Sequence, residues 1–523
     1  MKSRHIAIIA IASLAIVISS CSKVDDFLGA EPSKSSKKTI QTAEQLDQVL
    51  ASYTLYFPEN PDMALASDDF ECSAKVHDAK TGGYFGASQL VHCLWNTENN
   101  VDNRYYTWMK EYQKAYYANL VLANIESVTG DEAYKANLAA EAHFLRAYTY
   151  FQIALAHTLY YTGSNGAELG ITLKNSISFE ETSARSTLAE TWDFIDADLQ
   201  EALKITKKFK NSDGKNQTWR GTTVSVKAFA ARYYLYRADY AQALKYAQEV
   251  LGEYSYLKDY NNPAEMYYLA RTDSYNINVG TPEAKTITVQ YPYIFQQMYS
   301  AATYVDYVAW PELLYTRNVD YGYWWYIPSE SLLANYAADC PEGNPDNDLR
   351  YRYFVIEDMG LRYSDKTDAG RLPGYAQFYY DDIISGPTTA EMNLIVAECM
   401  ARTGDYSQAM TYVEKVRKCR IVSSVYTPLA PSSKSEAIKM ILRERRREMP
   451  FSIRWYDLKR LNANDAENQV TITRKFYDYN ETTVIKDGGV KDYVLEPNSR
   501  KYAMPIASQE ITNSDGIIQQ NTY

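Results

Sequence analysis

The chain has 523 residues, a formal net charge of −11 and an isoelectric point near 5.2. This acidic balance argues against a nucleic-acid partner or an anionic membrane surface, because both attract basic proteins. The six cysteines form no C-x-x-C pair, and setting Cys21 aside leaves an odd number, so no disulfide framework is implied. A single disulfide bond between Cys72 and Cys93 remains an open alternative.

The N-terminus has the pattern of a secretory signal peptide, which we assign to residues 1–20. Basic residues precede an apolar run at 6–18, and this run is shorter than the ~20 residues of a membrane-spanning helix. The tetrapeptide ISSC ending at Cys21 resembles the bacterial lipobox, which implies lipidation (palmitate) of this cysteine. An ordinary cleavage site followed by a chance cysteine is the alternative. Residues 21–40 are polar and Ser/Lys-rich, as is typical of a tether.

Hydrophobic side chains recur with the 3.6-residue period of an α-helix through much of the remaining chain. Capping residues stand at several expected helix starts, namely Thr187, Asp239 and Asp405. The predicted helices are 42–57, 105–125, 132–160, 187–205, 329–338 and 435–449.

One octapeptide occurs twice, as DYAQALKY at 239–246 and as DYSQAMTY at 405–412. Each copy follows an alanine-rich helical stretch, at 226–238 and 390–404. The pattern of helix, tight turn and helix resembles the tetratricopeptide repeat. A chance helical hairpin would explain one copy, but it explains two matching copies less well.

Helix periodicity is lost in two long excursions, near 60–108 and 254–328, where aromatic residues are frequent. Long irregular segments on a rigid scaffold commonly carry function. The stretch YGYWWYIPSE begins at residue 321 and places five rings in six consecutive positions. In an extended segment Tyr321, Tyr323 and Trp325 would share one face and Trp324 and Tyr326 the other, so one set can pack while the other is displayed.

Four motifs resemble those of the SusD/RagB family of outer-membrane nutrient-binding lipoproteins. They are EAHFLRAY at 141–148, AEMNLIVAE at 390–398, RERRREMPFSIRWYDLKR at 443–460 and YAMPI at 502–506. Pro450 departs from the family pattern and predicts that its helix stops early. The resemblance implies one SusD-like domain over 41–523. Its fold class would be mainly α, a tetratricopeptide-like scaffold of helical hairpins with long irregular, partly β excursions.

The resemblance also implies a function. Family members are cell-surface lipoproteins held to the outer membrane by a lipid anchor. They bind a nutrient oligosaccharide and pass it to a TonB-dependent, SusC-like transporter. The resemblance implies no cofactor and no enzymatic activity.

A sugar ring stacks its C–H face on Trp or Tyr, while Asn, Asp and Gln bind its hydroxyl groups. The two excursions contain both kinds of side chain, and in SusD-type proteins the ligand site is built from these regions. Packing of each ring onto the helices is the alternative. The predicted glycan-binding residues are Asp68, Asp69, Tyr84, Trp95, Asn96, Asn99, Tyr291, Tyr293, Tyr323, Trp324 and Trp325.

Other functions remain open at this level. The same architecture could carry a peptide or another nutrient, because Tyr and Asn also bind peptide backbones. A glycoside hydrolase needs only two carboxylates, although the family resemblance argues against one. A pure protein-binding scaffold would use its aromatic residues only for packing. The spacing of Cys72, His77, His92 and Cys93 fits no zinc pattern, so no metal site is predicted.

The run RERRRE at 443–448 places Glu444 and Glu448 among arginines at helical spacing. Alternating charges of this kind usually form salt bridges within and between helices. We therefore expect a structural ion network here rather than a phosphate or nucleic-acid site.

Overall fold

The computed structural model describes residues 40–52, 55–97, 107–178, 184–266, 271–278, 285–291, 310–319, 325–377, 383–480 and 482–523. The predicted signal peptide, Cys21 and the predicted tether up to residue 39 lie outside these ranges. Within the ranges, no helix combines the length and the apolar composition that crossing a membrane requires.

The described residues form sixteen α-helices. In chain order they are α1 (Ala43–Ala51), α2 (Asp62–Ala66), α3 (Ala74–Asp78), α4 (Ala87–Cys93), α5 (Thr107–Asn124), α6 (Glu132–His157), α7 (Leu188–Ala202), α8 (Thr223–Tyr236), α9 (Tyr240–Glu253), α10 (Glu330–Ala337), α11 (Leu349–Phe354), α12 (Thr389–Thr403), α13 (Tyr406–Arg420), α14 (Lys434–Glu448), α15 (Arg454–Asn464) and α16 (Ser508–Asn513). The predicted mainly α fold class is confirmed.

Several helices begin at the capping residues that the sequence indicated. Thr187 Oγ1 accepts from the Glu190 backbone N–H, and the Glu190 carboxylate accepts from the Thr187 backbone N–H at 2.8 Å. Asp239 and Asp405 each accept from the backbone N–H three residues later, at 3.0 and 2.9 Å. These bonds satisfy N–H groups that have no partner within the helix. All six predicted helices are present, and α1 differs most because it ends at Ala51.

The two octapeptide copies open the second helices of two matched hairpins, α8–α9 and α12–α13. The hairpins share an apolar cluster, in which Ala243 and Ala247 of α9 are fully buried together with Met392 and Ile395 of α12. Small side chains at this contact allow the helices to pack closely. The predicted tetratricopeptide-like hairpins are therefore present.

The described residues also contain nine short strands, three of them within the second excursion. They are β1 (Pro58–Glu59), β2 (Arg271–Ile277), β3 (Lys285–Tyr291), β4 (Asn318–Val319), β5 (Val355–Ile356), β6 (Gly374–Tyr375), β7 (Ile383–Ile384), β8 (Ile472–Tyr479) and β9 (Val484–Leu495). β4 pairs in parallel with β1 and antiparallel with β7, which joins the start of the first excursion to the second. The pairs β2–β3, β5–β6 and β8–β9 are antiparallel.

Two large apolar clusters form the interior. One lies among the scaffold helices and includes most of the inward face of α6. The other lies among the excursions and contains Phe70, Phe85, Tyr291, Trp310 and Trp325. Burying a Phe-sized side chain contributes roughly 1.5–3 kcal/mol, so this second cluster, which later segments of the chain complete, stabilises the excursions.

Glu444 of α14 is completely buried among three arginines. Its carboxylate lies 2.8 Å from Arg350 Nη1, 2.8 Å from Arg447 Nη2 and 3.3 Å from Arg417 Nη1. Burial alone would raise the pKa of Glu444, but the three guanidinium groups outweigh it and hold the pKa well below its usual range. The predicted ion network is confirmed, and it joins α11, α13 and α14.

The helical conformation is interrupted between α14 and α15 around Pro450, because a proline ring cannot continue a helix. α14 ends at Glu448 and α15 begins at Arg454, which agrees with the stop predicted from this proline. Arginines from both helices lie beside the break, and most of them are buried. We call them the arginine cluster, which consists of Arg443, Arg445, Arg446, Arg447, Arg454 and Arg460.

Lys459 is a buried cation on α15. Its Nζ donates to the backbone oxygens of Leu155 and Thr158, both at 2.6 Å, at the C-terminal end of α6. Burial lowers the pKa of Lys459 to about 7. Lys459 therefore donates hydrogen bonds to the end of α6, while burial makes its positive charge less favourable.

Replacing Lys459 with methionine should remove a pH-dependent part of the folding free energy. The pKa is about 7 when folded and 10.5 ordinarily, so the unfolded chain binds more protons between these values and stability rises with pH. Wild type should gain roughly 2 kcal/mol relative to Lys459→Met between pH 7 and 9 in urea unfolding. Lys475→Met, at an exposed lysine of β8, is the control. Equal pH slopes for wild type and Lys459→Met would contradict this account.

Candidate functional site

Asp68 and Asp69, both predicted to bind a glycan, lie inside the protein. Arg454 donates to the two oxygens of Asp68 at 2.7 and 2.9 Å, and Arg446 Nε donates to Asp69 Oδ1 at 2.6 Å. Although burial raises the pKa of Asp68, Arg446 and Arg454 lower it well below its usual range. The prediction of ligand contact is therefore corrected, because these carboxylates are occupied in anchoring the first excursion to the arginine cluster.

Trp95 is also enclosed, with 4% of its surface exposed. Its Nε1 donates to the Ala66 backbone oxygen at 2.9 Å, and the Arg474 guanidinium lies 4.8 Å from the ring centroid. A cation over the ring face stabilises this position. The indole offers no open face to a sugar, so we assign Trp95 to packing.

Trp325 is completely buried. Its ring stacks on Tyr363 at a centroid distance of 5.9 Å, and its Nε1 donates to the Pro373 oxygen at 3.1 Å. The backbone of Gly374 lies so close that a Cβ there would stand 2.7 Å from Nε1. Tyr326 is buried as well, against Phe451. The expected alternation of packed and displayed rings is thus wrong for 325–326, because both faces are covered.

The other predicted site residues lie partly within and partly outside the described ranges. Tyr291 at the end of β3 is buried in the second apolar cluster, so its predicted ligand contact is corrected. Asn96 is half-buried and hydrogen-bonded to the Tyr479 side chain, and its ligand contact stays a prediction. The others lie outside the described residues, and their ligand contact stays a prediction: Asn99, Tyr293, Tyr323 and Trp324.

Tyr84 keeps part of its ring in solvent. It meets Trp325 edge-on at a centroid distance of 5.5 Å, and the half-buried Tyr363 contacts the same indole. Tyr275 of β2 lies nearby, since the ammonium of Lys366, three residues after Tyr363, stands 5.2 Å from its ring. We call these three partly exposed rings the aromatic rim (Tyr84, Tyr275 and Tyr363).

Polar and charged groups surround the aromatic rim. Thr81 donates to Asp365 Oδ2 from its backbone N–H at 2.6 Å and from its hydroxyl at 2.5 Å. The Arg362 guanidinium carbon lies 5.3 Å from the Tyr363 ring centroid, and the Tyr275 hydroxyl donates to Asp273 at 3.4 Å. Flat apolar rings beside charged groups of both signs can bind a ligand that has apolar faces and a polar edge.

A tight turn at Gly82 and Gly83 positions Tyr84. Both glycines have positive φ, of +82° and +91°. The Tyr84 N–H donates to the His77 backbone oxygen at 3.0 Å, and the Phe85 N–H donates to His77 Nδ1 at 3.2 Å. A Cβ at Gly83 would lie 2.1 Å from His77 Cε1, whereas a Cβ at Gly82 would meet nothing within 4 Å. Only glycine fits position 83.

A separate groove of about 490 Å³ lies on the repeat hairpins. It is lined by Gln248, Leu251, Gly252, Ser255, Leu257, Asn393, Tyr412 and Lys415. A second cavity, beside Trp310 and Glu312, holds only about 20 Å³, which is room for about one water molecule. In the part of the chain that the structure describes, no three His, Cys, Asp or Glu side chains are grouped to hold a metal ion.

Comparison with known proteins identifies the family. A SusD-like model described as starch-binding and associating with the outer membrane matches residues 26–235, and the SusD family model matches residues 389–523. The chain belongs to the SusD/RagB family. SusD-like protein P2 of Formosa agariphila is 23% identical over 452 residues, which is 79% of each chain.

Solved structures of SusD-like proteins share the fold of this SusD/RagB protein. A SusD superfamily protein from Bacteroides vulgatus has a TM-score of 0.60 at 18% identity, covering 92% of this chain and 99% of its own. Surface glycan-binding protein A from Bacteroides uniformis has a TM-score of 0.58 at 16% identity, with the same coverage of both chains. At these identities the likeness concerns the fold alone.

Sequence reasoning on this SusD/RagB protein missed two of the three rim rings. Tyr275 lies within the second excursion, but it stands in a polar strand rather than in an aromatic run. Tyr363 is followed by Asp365 and Lys366 between β5 and β6, outside both excursions. The signal in the sequence that could have indicated a binding role for Tyr363 is a tyrosine close to charged residues of both signs.

Replacing Gly83 with alanine should destabilise the turn that carries Tyr84. Gly82→Ala is the matched control, because it brings a similar positive-φ strain of about 1 kcal/mol without a clash. Gly83→Ala adds the overlap with His77, and we expect it to cost about 1–3 kcal/mol more than Gly82→Ala in urea unfolding. Equal costs for the two variants would show that His77 does not pack against this turn.

Proposed function

We propose that this SusD/RagB protein is a cell-surface lipoprotein that binds a nutrient oligosaccharide and passes it to a TonB-dependent, SusC-like outer-membrane transporter. The aromatic rim is the observation that supports glycan binding most directly. The names of relatives agree with it, since one of them is described as a surface glycan-binding protein. Cys21 would carry the lipid anchor to the outer membrane, and the scaffold would lie towards the transporter.

Glycan binding at the rim has a simple physical basis. Tyrosine combines a flat apolar face with a hydroxyl group and loses little conformational entropy when it binds. Asp365, Lys366 and Arg362 stand beside the rings and can bind hydroxyl groups of a sugar. The predicted residues outside the described ranges, Tyr293 and Trp324 among them, belong to the same excursions and would extend this surface.

A glycoside hydrolase is less well supported at the rim than a binding protein. Hydrolysis needs a carboxyl group that stays protonated near neutral pH and acts as the general acid. At Asp365, hydrogen bonds from the Thr81 hydroxyl and backbone N–H lower the pKa. This carboxylate is therefore suited to accept hydrogen bonds rather than to donate a proton.

A peptide cargo is the second candidate, because tyrosine and charged side chains also suit peptides. Glycan and peptide arrays, each probed with the full chain, separate the two. We expect binding on the glycan array only. Release of reducing sugar from the bound glycan would favour the hydrolase instead.

Removing rim rings should weaken binding of the glycan that the array selects. We expect Tyr84→Ala, Tyr275→Ala and Tyr363→Ala each to raise the Kd about 3- to 10-fold in calorimetric titration, as the loss of one stacking face implies. Tyr84→Phe keeps the ring and should bind within about 2-fold of wild type. Tyr256→Ala removes a ring that is 39% exposed and lies outside the rim, so it should have no effect. Unchanged affinity in all three rim variants would exclude the rim as the site.

A further inference from the structure

Two buried cysteine side chains lie against each other in the first excursion. Cys72 lies two residues after Phe70, and Cys93 is the last residue of α4; their exposed fractions are 1% and 0%. Both are free thiols in this structure, and the two thiol groups are in hydrogen-bond contact. They are 21 positions apart in the sequence, so their contact is tertiary.

Arg474 of β8 holds the two backbone segments together. Its guanidinium donates to the backbone oxygen of Cys93, to that of Phe70 at 2.9 Å, to that of Leu65 at 2.9 Å and to that of Ser67 at 2.5 Å. The guanidinium is planar and its donors have fixed directions, so oxygens bound to one such group keep a fixed separation. The proximity of the cysteines is thus built into the fold.

We propose that Cys72 and Cys93 form a disulfide bond as the chain folds in the cell envelope. The two thiols give up two protons and two electrons as the sulfur–sulfur bond forms. The oxidant is a disulfide, such as that of an envelope thiol oxidoreductase or oxidised glutathione, and it is reduced to two thiols. The proposal rests on the proposed export of the chain, but not on the identity of its ligand.

Burial determines when this bond can form. Burial and the hydrogen bond with Cys93 raise the pKa of the Cys72 thiol well above its usual value. Because the thiolate is the attacking species, the folded dithiol reacts slowly. The bond therefore forms before the excursion closes over the pair, and the closed excursion then shields it from reductants.

The bond would restrain the part of the first excursion that carries a rim tyrosine. It closes a ring over residues 72–93, which includes the glycine turn and Tyr84. Just before the ring, the Glu71 N–H donates to the Ile327 oxygen and the Ser329 N–H donates to the Asp69 oxygen, both at 2.8 Å. These two hydrogen bonds attach the loop that the disulfide would close to the second excursion. The disulfide would therefore reduce the conformational freedom of Tyr84 relative to Trp325.

Thiol trapping tests the proposal on the full chain. The protein is extracted with detergent from the envelope of the producing cells in N-ethylmaleimide, unfolded with more of this reagent, digested and analysed by mass spectrometry. Cys340, Cys399 and Cys419 are the internal controls, and each should carry maleimide. Cys72 and Cys93 should carry none and should appear as one linked peptide pair that separates on reduction.

Maleimide on both Cys72 and Cys93 in most molecules would overturn the proposal. In Cys72→Ala, Cys93 should gain maleimide while the three controls stay unchanged. Reductant should lower the thermal unfolding midpoint of wild type but not that of Cys72→Ala/Cys93→Ala, and an equal response would also count against the bond. These readouts involve no glycan, so failure here leaves the rim proposal standing, and failure of the rim leaves this one standing.

Discussion

The arginine cluster brings positive charge into the interior, and carboxylates from distant parts of the chain neutralise it there. Glu398 pairs with Arg460 at 2.6 Å, Asp68 pairs with Arg454 at 2.7 Å, and Glu391 pairs with Arg445 at 3.1 Å. An unpaired charge in such a place is costly, so each partner must take up its position. The scaffold and the excursions are therefore held in one arrangement by paired charges as well as by apolar packing.

This arrangement determines what the excursions can display. Asp68 and Asp69 tie the first excursion to α14 and α15, and β1 and β4 pair it with the second. These contacts fix the backbone of both excursions around the buried indole of Trp325. Tyr84 and Tyr363 pack against this indole, and part of each tyrosine ring stays in solvent. The buried indole thus holds the two partly exposed tyrosine rings in position.

Local signals in the sequence predicted much of the scaffold, because helix period, caps and the break at Pro450 depend on neighbouring residues. The ion network was also readable from alternating charges. The site residues were harder to predict, because burial depends on remote partners. Asp68 meets Arg454 386 positions away, and the cover over Trp325 is the backbone of Gly374. A run of aromatic residues in the sequence does not show which ring faces are buried, and it does not show which other segments of the chain bury them.

A double-mutant cycle on Asp68 and Arg454 tests the central role of these ion pairs most directly. Asp68→Asn and Arg454→Met should each cost about 3–5 kcal/mol in urea unfolding, since each leaves a buried charge without its partner. The double variant should cost less than the sum by about 2 kcal/mol or more. Arg500→Met, at a partly exposed arginine paired with Glu168, should add to Asp68→Asn within about 0.5 kcal/mol. Simple additivity for Asp68 and Arg454 would contradict the account.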